Sequence, residues 1–169
     1  MRELKNLQRE RKVISLGDAK TVGILYNASE KADFETVRAF VKKLLSEKKE
    51  VTSLGFVDKK ELAENQFSKL GLDFFSRKDL SFYMIPKNIL VNNFSKGDFD
   101  ILINLNVENC FPLQYISGIS KAKFRVGRYD PANTHFYDLM IKTTEHESLQ
   151  HFIEQVDHYL TLIKTKNES

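Results

Sequence analysis

The most reactive side chain in this sequence is Cys110, the single cysteine among 169 residues. It stands just before Pro112, a residue favoured in the first turn of a helix. A helix N-terminus lowers the pKa of a thiol and favours nucleophilic chemistry. A nucleophile also needs a base within hydrogen-bonding distance, and the sequence offers only His135, in RYDPANTHFYD. Because nothing in the sequence fixes that distance, we expect an inert, partly buried thiol and no catalytic residue.

Three further histidines raise the question of a metal site: His146, His151 and His158. On one helix His151 and His158 lie about 10 Å apart along the axis, too far for one ion. The sequence has no H-E-x-x-H motif and no paired cysteines, which are typical of zinc sites. It also has no G-x-G-x-x-G, P-loop or G-x-S-x-G motif. We therefore expect no metal ion and no cofactor.

Positive charge is concentrated in two parts of the chain. Residues 1–20 hold six basic and three acidic residues, which accounts for the whole net charge of +3. Residues 121–128 hold four basic residues and no acid. These residues form a candidate patch for an anionic partner, although the same charges would protect an edge strand from pairing with other chains. The patch comprises Arg9, Arg11, Lys12, Lys121, Lys123, Arg125 and Arg128.

Polar residues follow the predicted strands at the positions where α/β proteins bind ligands. In parallel sheets this is the rim beyond the carboxyl ends of the strands, where the strand order reverses. Side chains there could hydrogen-bond a small polar ligand, although turns and helix starts are rich in the same residue types. The candidates are Asn27, Ser29, Asp58, Asn106, Glu108 and Asn109.

The elements that must position these residues alternate between two hydrophobic periods. Short apolar runs predict buried strands at TVGILY (21–26), VTSLGFV (51–57) and FDILINL (99–105). Apolar residues three and four apart predict helices over 33–47 and 148–164. At the start of the first helix, Asp33 is the expected N-cap.

The middle of the chain contains two candidate strands, LDFF (72–75) and SFYMI (81–85). Pro86 disfavours SFYMI as a central strand, so we place LDFF in the sheet and SFYMI at an edge or in a loop. Residues 59–69 read as a loop with one helical turn, and NILVNNF (88–94) predicts a short helix.

A helix from Pro112 to Ile119 and strands at KFRV (123–126) and DLMI (138–141) complete the pattern. The order predicts an α/β fold, a three-layer Rossmann-like sandwich with a mainly parallel sheet. Residues 21–166 form this single domain, and residues 1–20 form a basic helical segment before it. The apolar residues of that segment are too sparse to anchor a helix, so we expect it to bind a partner and not to stabilise the core.

The composition agrees with one globular domain, since 41% of the residues are apolar and 29% charged. A chain of this length buries enough surface to fold without disulfides or metals. No apolar stretch approaches the roughly 20 residues of a membrane span. The opening MRELKNLQRERK is too charged for a signal peptide. Together with the single cysteine, this predicts a cytoplasmic protein.

Two stretches, FDILINLN (99–106) and SGISKAKFRVG (117–127), resemble the first half of two-domain glycosyltransferases of the heptosyltransferase type. This resemblance implies a Rossmann-like fold. Over its whole length the chain is similar to an uncharacterised family of small α/β proteins from Bacteroidota. That similarity is carried by TVGILYN, LGFVD, FDILINLN and KAKFRVG, and it implies no known reaction.

Two functions remain open from the sequence. The first is a non-catalytic interaction module in the cytosol, whose N-terminal segment and residues 121–128 contact an acidic partner such as RNA, a ribonucleoprotein or another protein. The second is a small-molecule or nucleotide binder, or an enzyme, that uses the rim around Asn27, Asp58, Asn106 and Cys110. Because the common nucleotide-binding and catalytic motifs are missing, the sequence favours the interaction module.

Overall fold

The computed structural model describes residues 9–60, 72–144 and 146–164, and its centre is a parallel β-sheet. Within these ranges the sheet has six strands, in the order β3-β2-β1-β4-β5-β6. Because β1 pairs in parallel with both β2 and β4, the three predicted central strands are confirmed as neighbours. The strands are Thr21–Asn27 (β1), Glu50–Val57 (β2), Leu72–Ser76 (β3), Ile101–Asn104 (β4), Phe124–Arg128 (β5) and Leu139–Ile141 (β6).

Helices cover both faces of this sheet. In the described ranges they are Lys31–Ser46 (α1), Ile89–Ser95 (α2), Phe111–Ile119 (α3) and Leu149–Leu162 (α4). Since successive side chains of a strand point to opposite faces, Ile101 and Ile103 of β4 join the core under α1 and α4, whereas Leu102 joins the core under α2 and α3. The predicted α/β Rossmann-like sandwich is thereby confirmed.

No helix in the described part of the chain is long and apolar enough to cross a bilayer.

The middle of the chain agrees with the prediction where it is described. LDFF lies in the sheet as β3, SFYMI forms a turn, and NILVNNF supplies α2. Most of the predicted loop at 59–69 lies outside the described residues. The prediction of Asp33 as an N-cap is wrong. Helix α1 begins earlier because Glu30 has extended backbone and its carbonyl accepts the first helical bond, from Phe34 N–H at 3.1 Å.

The N-terminal segment differs from the expected helix. Residues 9–15 have no helical structure, so that prediction is wrong there, and residues 1–8 lie outside the described part. The segment is instead bonded to the domain, with Lys12 N–H donating to the Lys123 carbonyl at 3.1 Å and Leu16 N–H to the Leu160 carbonyl at 2.9 Å. Ile14 and Leu16 are buried in the core under α1 and α4. These contacts make the segment part of the packing of the domain.

The placement of β4 can be tested at Ile103, which is 0% exposed and pairs with Ile24 of β1 and Val126 of β5. Ile103→Asp would bury an unpaired carboxylate, at a cost comparable to the total stability of about 5–15 kcal/mol. We expect no cooperative thermal transition by circular dichroism. Ile103→Val, the control, should cost about 1 kcal/mol and keep the transition. A normal transition for the aspartate variant would contradict this placement.

Candidate functional site

The predicted rim at the carboxyl ends of the strands is held together by its own hydrogen bonds. Asn27 Oδ1 accepts from Ser29 N–H at 3.0 Å, and Ser29 Oγ accepts from Asp58 N–H at 2.9 Å. The Asp58 carboxylate in turn pairs with Arg77, which follows β3. The three candidates therefore connect the loops that follow β1, β2 and β3.

The other half of the rim follows β4 and is bonded in the same way. Asn106 Nδ2 donates to the Glu108 carbonyl at 2.6 Å, and Asn109 Oδ1 accepts from Arg128 at 3.1 Å. Burial, and then the charges of Glu30 and Glu108, raise the pKa of Asp33. The loops after β1 and β4 start side by side, because these two strands are neighbours where the strand order reverses. The six candidates lie along one rim, and five of them bond to neighbouring loop groups through their side chains.

A cavity of about 210 Å³ lies beside this rim. It is lined by Val107, Glu108, Arg128, Thr143, Thr144, His146 and Glu147. The Glu147 side chain is 3% exposed, and its Oε1 lies 3.0 Å from His151 Nε2. Within the described ranges, no group of three or more His, Cys, Asp or Glu side chains is arranged to hold a metal ion.

Cys110 stands at the N-cap of α3, where a helix can activate a thiol. Here burial is the largest effect, and it raises the pKa of the Cys110 thiol to about 11. A hydrogen bond from the Leu113 backbone acts to lower this pKa, and the charge of Asp58 acts to raise it. The thiol is therefore protonated at neutral pH.

We expect Cys110 to react slowly with a thiol reagent. An ordinary cysteine has a pKa of about 8.5, so the thiolate fraction of Cys110 at pH 7 is lower by a factor of about 300. Stopped-flow labelling should show a slow rate that increases with pH up to the limit of stability. The chain unfolded in guanidinium, the control, should react at the ordinary rate. Fast labelling at pH 7 that is lost in His135→Ala would instead show an activated nucleophile.

The predicted basic patch is divided between the two ends of β5. Arg128 ends the strand at the carboxyl rim, whereas the other six members lie near its amino end. Arg9 Nη1 donates to the carbonyls of Ala122 and Lys123, at 3.0 and 3.1 Å. Lys123 pairs with Asp100 at 3.4 Å.

Asp138 is the centre of the group at the amino end. Its Oδ1 accepts from Arg9 at 2.7 Å and from Arg11 at 2.8 Å, and its Oδ2 accepts from Arg125 N–H at 2.9 Å. The Arg125 side chain is buried and donates to the Ser120 carbonyl. Burial, and then the charge of Arg9, lowers the pKa of Arg125 to about 10. Arg9 therefore fastens the N-terminal segment to β5 through Asp138 and the carbonyls of Ala122 and Lys123, while the side chains of Arg11, Lys12 and Lys121 remain exposed.

Asp138 should make the stability of the domain depend on pH. Burial acts to raise its pKa, but the hydrogen bonds from Arg9, the Arg125 backbone and Arg11 outweigh it, so the pKa is lowered. A lowered pKa gives stability that is complete above the unfolded value of about 3.9 and is lost as the pH falls through the folded value. Asp138→Asn should cost about 1–3 kcal/mol at pH 7 and less below pH 3, by denaturant unfolding.

The exposed Asp73→Asn on β3 is the matched control, and it should unfold like the unmodified chain. Parallel pH profiles for Asp138→Asn and the unmodified chain would contradict the role of this ion pair.

A tight turn after β3 exposes three consecutive large apolar side chains. Phe82 is 95% exposed, Tyr83 76% and Met84 44%. We call residues 80–86 the aromatic turn. Its base is closed by an antiparallel bridge between Leu80 and Pro86.

Backbone hydrogen bonds within the aromatic turn define its shape. Ser81 N–H donates to the Ile85 carbonyl at 2.8 Å, and Met84 N–H donates to the Ser81 carbonyl at 2.9 Å. Ser81 Oγ accepts from Tyr83 N–H and Ile85 N–H, at 3.3 and 3.2 Å. Met84 has a φ of 63°, in the left-handed region that a tight turn requires. The three apolar side chains are therefore carried by an internally bonded loop.

Cations flank the base of the aromatic turn. Lys78 and Lys87 are exposed on either side of it, and Lys87 N–H donates to the Asp79 carbonyl at 2.6 Å. The Asp79 carboxylate is occupied, because it accepts from Ser76 N–H and from Asn88 Nδ2, both at 2.9 Å. The donors to Asp79 are neutral, so it keeps its charge, but the two lysines outnumber it and leave the base with a net positive charge beneath an apolar tip.

The sequence predicts SFYMI at an edge or in a loop but does not indicate that its apolar side chains are exposed together. The available signal was the combination of three adjacent large apolar residues with Pro86. Apolar residues in a strand enter a core, whereas the same residues in a turn remain in solvent.

Comparison with known proteins gives a family but no function. The model of a family of unknown function (DUF6913) matches residues 1–163. Neither the curated proteins nor the solved structures contain a significant match. The expected similarity to an uncharacterised family is confirmed, while the resemblance to heptosyltransferases and the link to Bacteroidota stay predictions.

Proposed function

Because the chain belongs to DUF6913, a family of unknown function, we propose its role from its own surfaces: it is a non-catalytic interaction module that contacts an acidic partner. The single observation that carries this proposal is the aromatic turn, which exposes Phe82, Tyr83 and Met84 together on an internally bonded loop. Adjacent exposed apolar side chains are typical of interaction sites.

The energetics favour a partner at this turn. Removing a Phe or Met side chain from water contributes about 1.5–3 kcal/mol, and aromatic residues are frequent among those that dominate binding. The turn's internal hydrogen bonds reduce the entropy lost on binding. Lys78 and Lys87 add charge that attracts an acidic surface and accelerates association.

The basic patch predicted from the sequence supports this role less directly. Arg9 and Arg125 are occupied within the fold, so their charge contributes little to a second surface. Arg11, Lys12 and Lys121 are exposed at the amino end of β5 and could extend contact with RNA, a ribonucleoprotein or an acidic protein. The predicted cytoplasmic location remains part of the proposal.

The alternative, a small-molecule or nucleotide site at the rim, receives less support. Ser29 and Asp58 bond to each other, and Asn106 bonds within its own loop. A ligand would have to replace these bonds before it could use the side chains.

The proposal is tested by affinity capture from a whole-cell lysate that retains membranes, at low and high salt, with nucleic acid, lipid and protein identified in the eluate. Phe82→Ser combined with Tyr83→Ser should reduce recovery of the partner at least about tenfold, because both anchors lose their buried area. Lys78→Glu combined with Lys87→Glu should reduce recovery mainly at low salt, where charge attraction is least screened.

Tyr159→Ser is the matched control, because Tyr159 is 51% exposed on α4, away from the turn. It should capture the partner as the unmodified chain does. Equal recovery by the Phe82 and Tyr83 double variant, with an unchanged melting temperature, would refute the interaction site.

A further inference from the structure

We propose that the acidic partner of the aromatic turn is the anionic surface of a lipid bilayer, into which Phe82, Tyr83 and Met84 insert. This inference rests on the proposed interaction function and specifies its partner. Three features of the turn support it: its backbone hydrogen bonds, the chemistry of its tip and the charge at its base.

The backbone of the turn is suited to the surface of an apolar medium. A peptide N–H that leaves water without a hydrogen bond costs several kcal/mol in hydrocarbon, so a loop at a bilayer inserts its side chains and keeps its backbone at the headgroup level, where internal hydrogen bonds lower the cost of partial dehydration. The N–H groups of Ser81, Tyr83, Met84 and Ile85 all donate within the turn. Among the described contacts only the Phe82 N–H of residues 81–85 has no partner, so the side chains of the tip can enter the bilayer while the backbone stays at the headgroup level.

The side chains at the tip match the layers of a membrane interface. Phe82 and Met84 are apolar and fit the acyl region, while Tyr83 has an apolar ring and a hydroxyl that suits the headgroup level. Ile89, the first residue of α2, is 69% exposed a few residues beyond the turn. It adds exposed aliphatic surface shortly after the base of the turn in the chain.

The charges at the base match anionic headgroups. Three exposed lysines lie near the turn: Lys59, Lys78 and Lys87. The carbonyl of Lys59 accepts from the N–H of Arg77, which shortly precedes the turn, at 3.1 Å. Of the described carboxylates near the turn, Asp58 is paired with Arg77, and Asp79 accepts from the neutral Asn88 amide and keeps its charge, so the three lysines outnumber it. A lysine close to an anionic membrane raises the affinity by about fivefold.

The same geometry disfavours single-stranded nucleic acid. Stacked bases need flat aromatic faces that are open to solvent and aligned along a groove. The Phe82 and Tyr83 rings are instead nearly perpendicular, with an interplanar angle of 85° and centroids 5.5 Å apart. Met84 offers no ring for stacking. A projecting tip with mixed aromatic and aliphatic side chains fits a lipid interface better.

The test uses tryptophan fluorescence, because the chain contains no tryptophan. Phe82→Trp places a single probe at the tip of the full chain, and Tyr159→Trp on α4 is the matched control. Both are titrated with vesicles of phosphatidylcholine alone and of phosphatidylcholine mixed with phosphatidylglycerol. With the anionic vesicles, the tip probe should shift to shorter wavelength and be quenched by brominated lipid, while the control should not change.

Co-sedimentation with the same vesicles gives the affinity. Binding to the anionic vesicles should exceed binding to the neutral vesicles at least about tenfold, since several lysines contribute. The double variant Phe82→Ser with Tyr83→Ser should bind the anionic vesicles at least about tenfold more weakly than the unmodified chain does. Tyr159→Ser should bind them as the unmodified chain does. Melting temperatures that match the unmodified chain show that the variants are folded.

Each other outcome is decisive. If anionic vesicles neither shift the tip probe nor sediment the chain, the lipid inference is overturned. If the tip variants then lose binding to a uridine oligonucleotide or to a captured acidic protein, the interaction module stands with a different partner. If the tip variants retain every partner, the proposed function falls as well.

Discussion

The pairing of β1 on both sides determines where the loops at the centre of the carboxyl rim lie. β1 bonds in parallel to β2 and to β4, and Val22, Ile24 and Leu25 are 0% exposed. The Phe99 ring can pack closely against β1 because Gly23 has no side chain. A Cβ at Gly23 would come within 2.8 Å of that ring. Since the order runs outwards from β1 in opposite directions, the loops after β1 and β4 diverge to opposite faces and leave the rim between them.

The sheet and its helices could be predicted because their signals are local. The apolar run FDILINL by itself predicts a buried strand. The apolar residues of α4 form a stripe along one side of about four helical turns, which by itself predicts a helix packed on the sheet. The N-terminal segment could not be predicted in this way. Arg9 bonds to Asp138, which is 129 residues away in the sequence. A local pattern of charges does not indicate such a distant partner, so this contact could not be predicted. The same limit explains why Arg128 looked like a neighbour of Lys121 and Lys123 although it lies at the other end of β5.

The candidate sites show a related limit. Asn27, Ser29 and Asp58 could be placed on the rim from the topology, but the sequence could not show that they bond to one another. The aromatic turn is the reverse case. Its residues were placed correctly in an edge or loop, yet Phe82, Tyr83 and Met84 have the composition of a strand. Only the bonds made by Ser81 show that they point away from the core.

The rim and the aromatic turn are physically connected. Asp58 donates its backbone N–H to Ser29 Oγ, which leaves its carboxylate free to accept from Arg77, three residues before the turn. The positive charge of Arg77 is therefore offset by Asp58 at the rim, whereas the charges of Lys78 and Lys87 remain at the base of the turn. If Asp58 were free, it would lie beside the lysines and reduce their attraction for an anionic surface. The pairing of Asp58 with Arg77 thus helps to keep the base of the turn positively charged, which is the property that the proposed interaction requires.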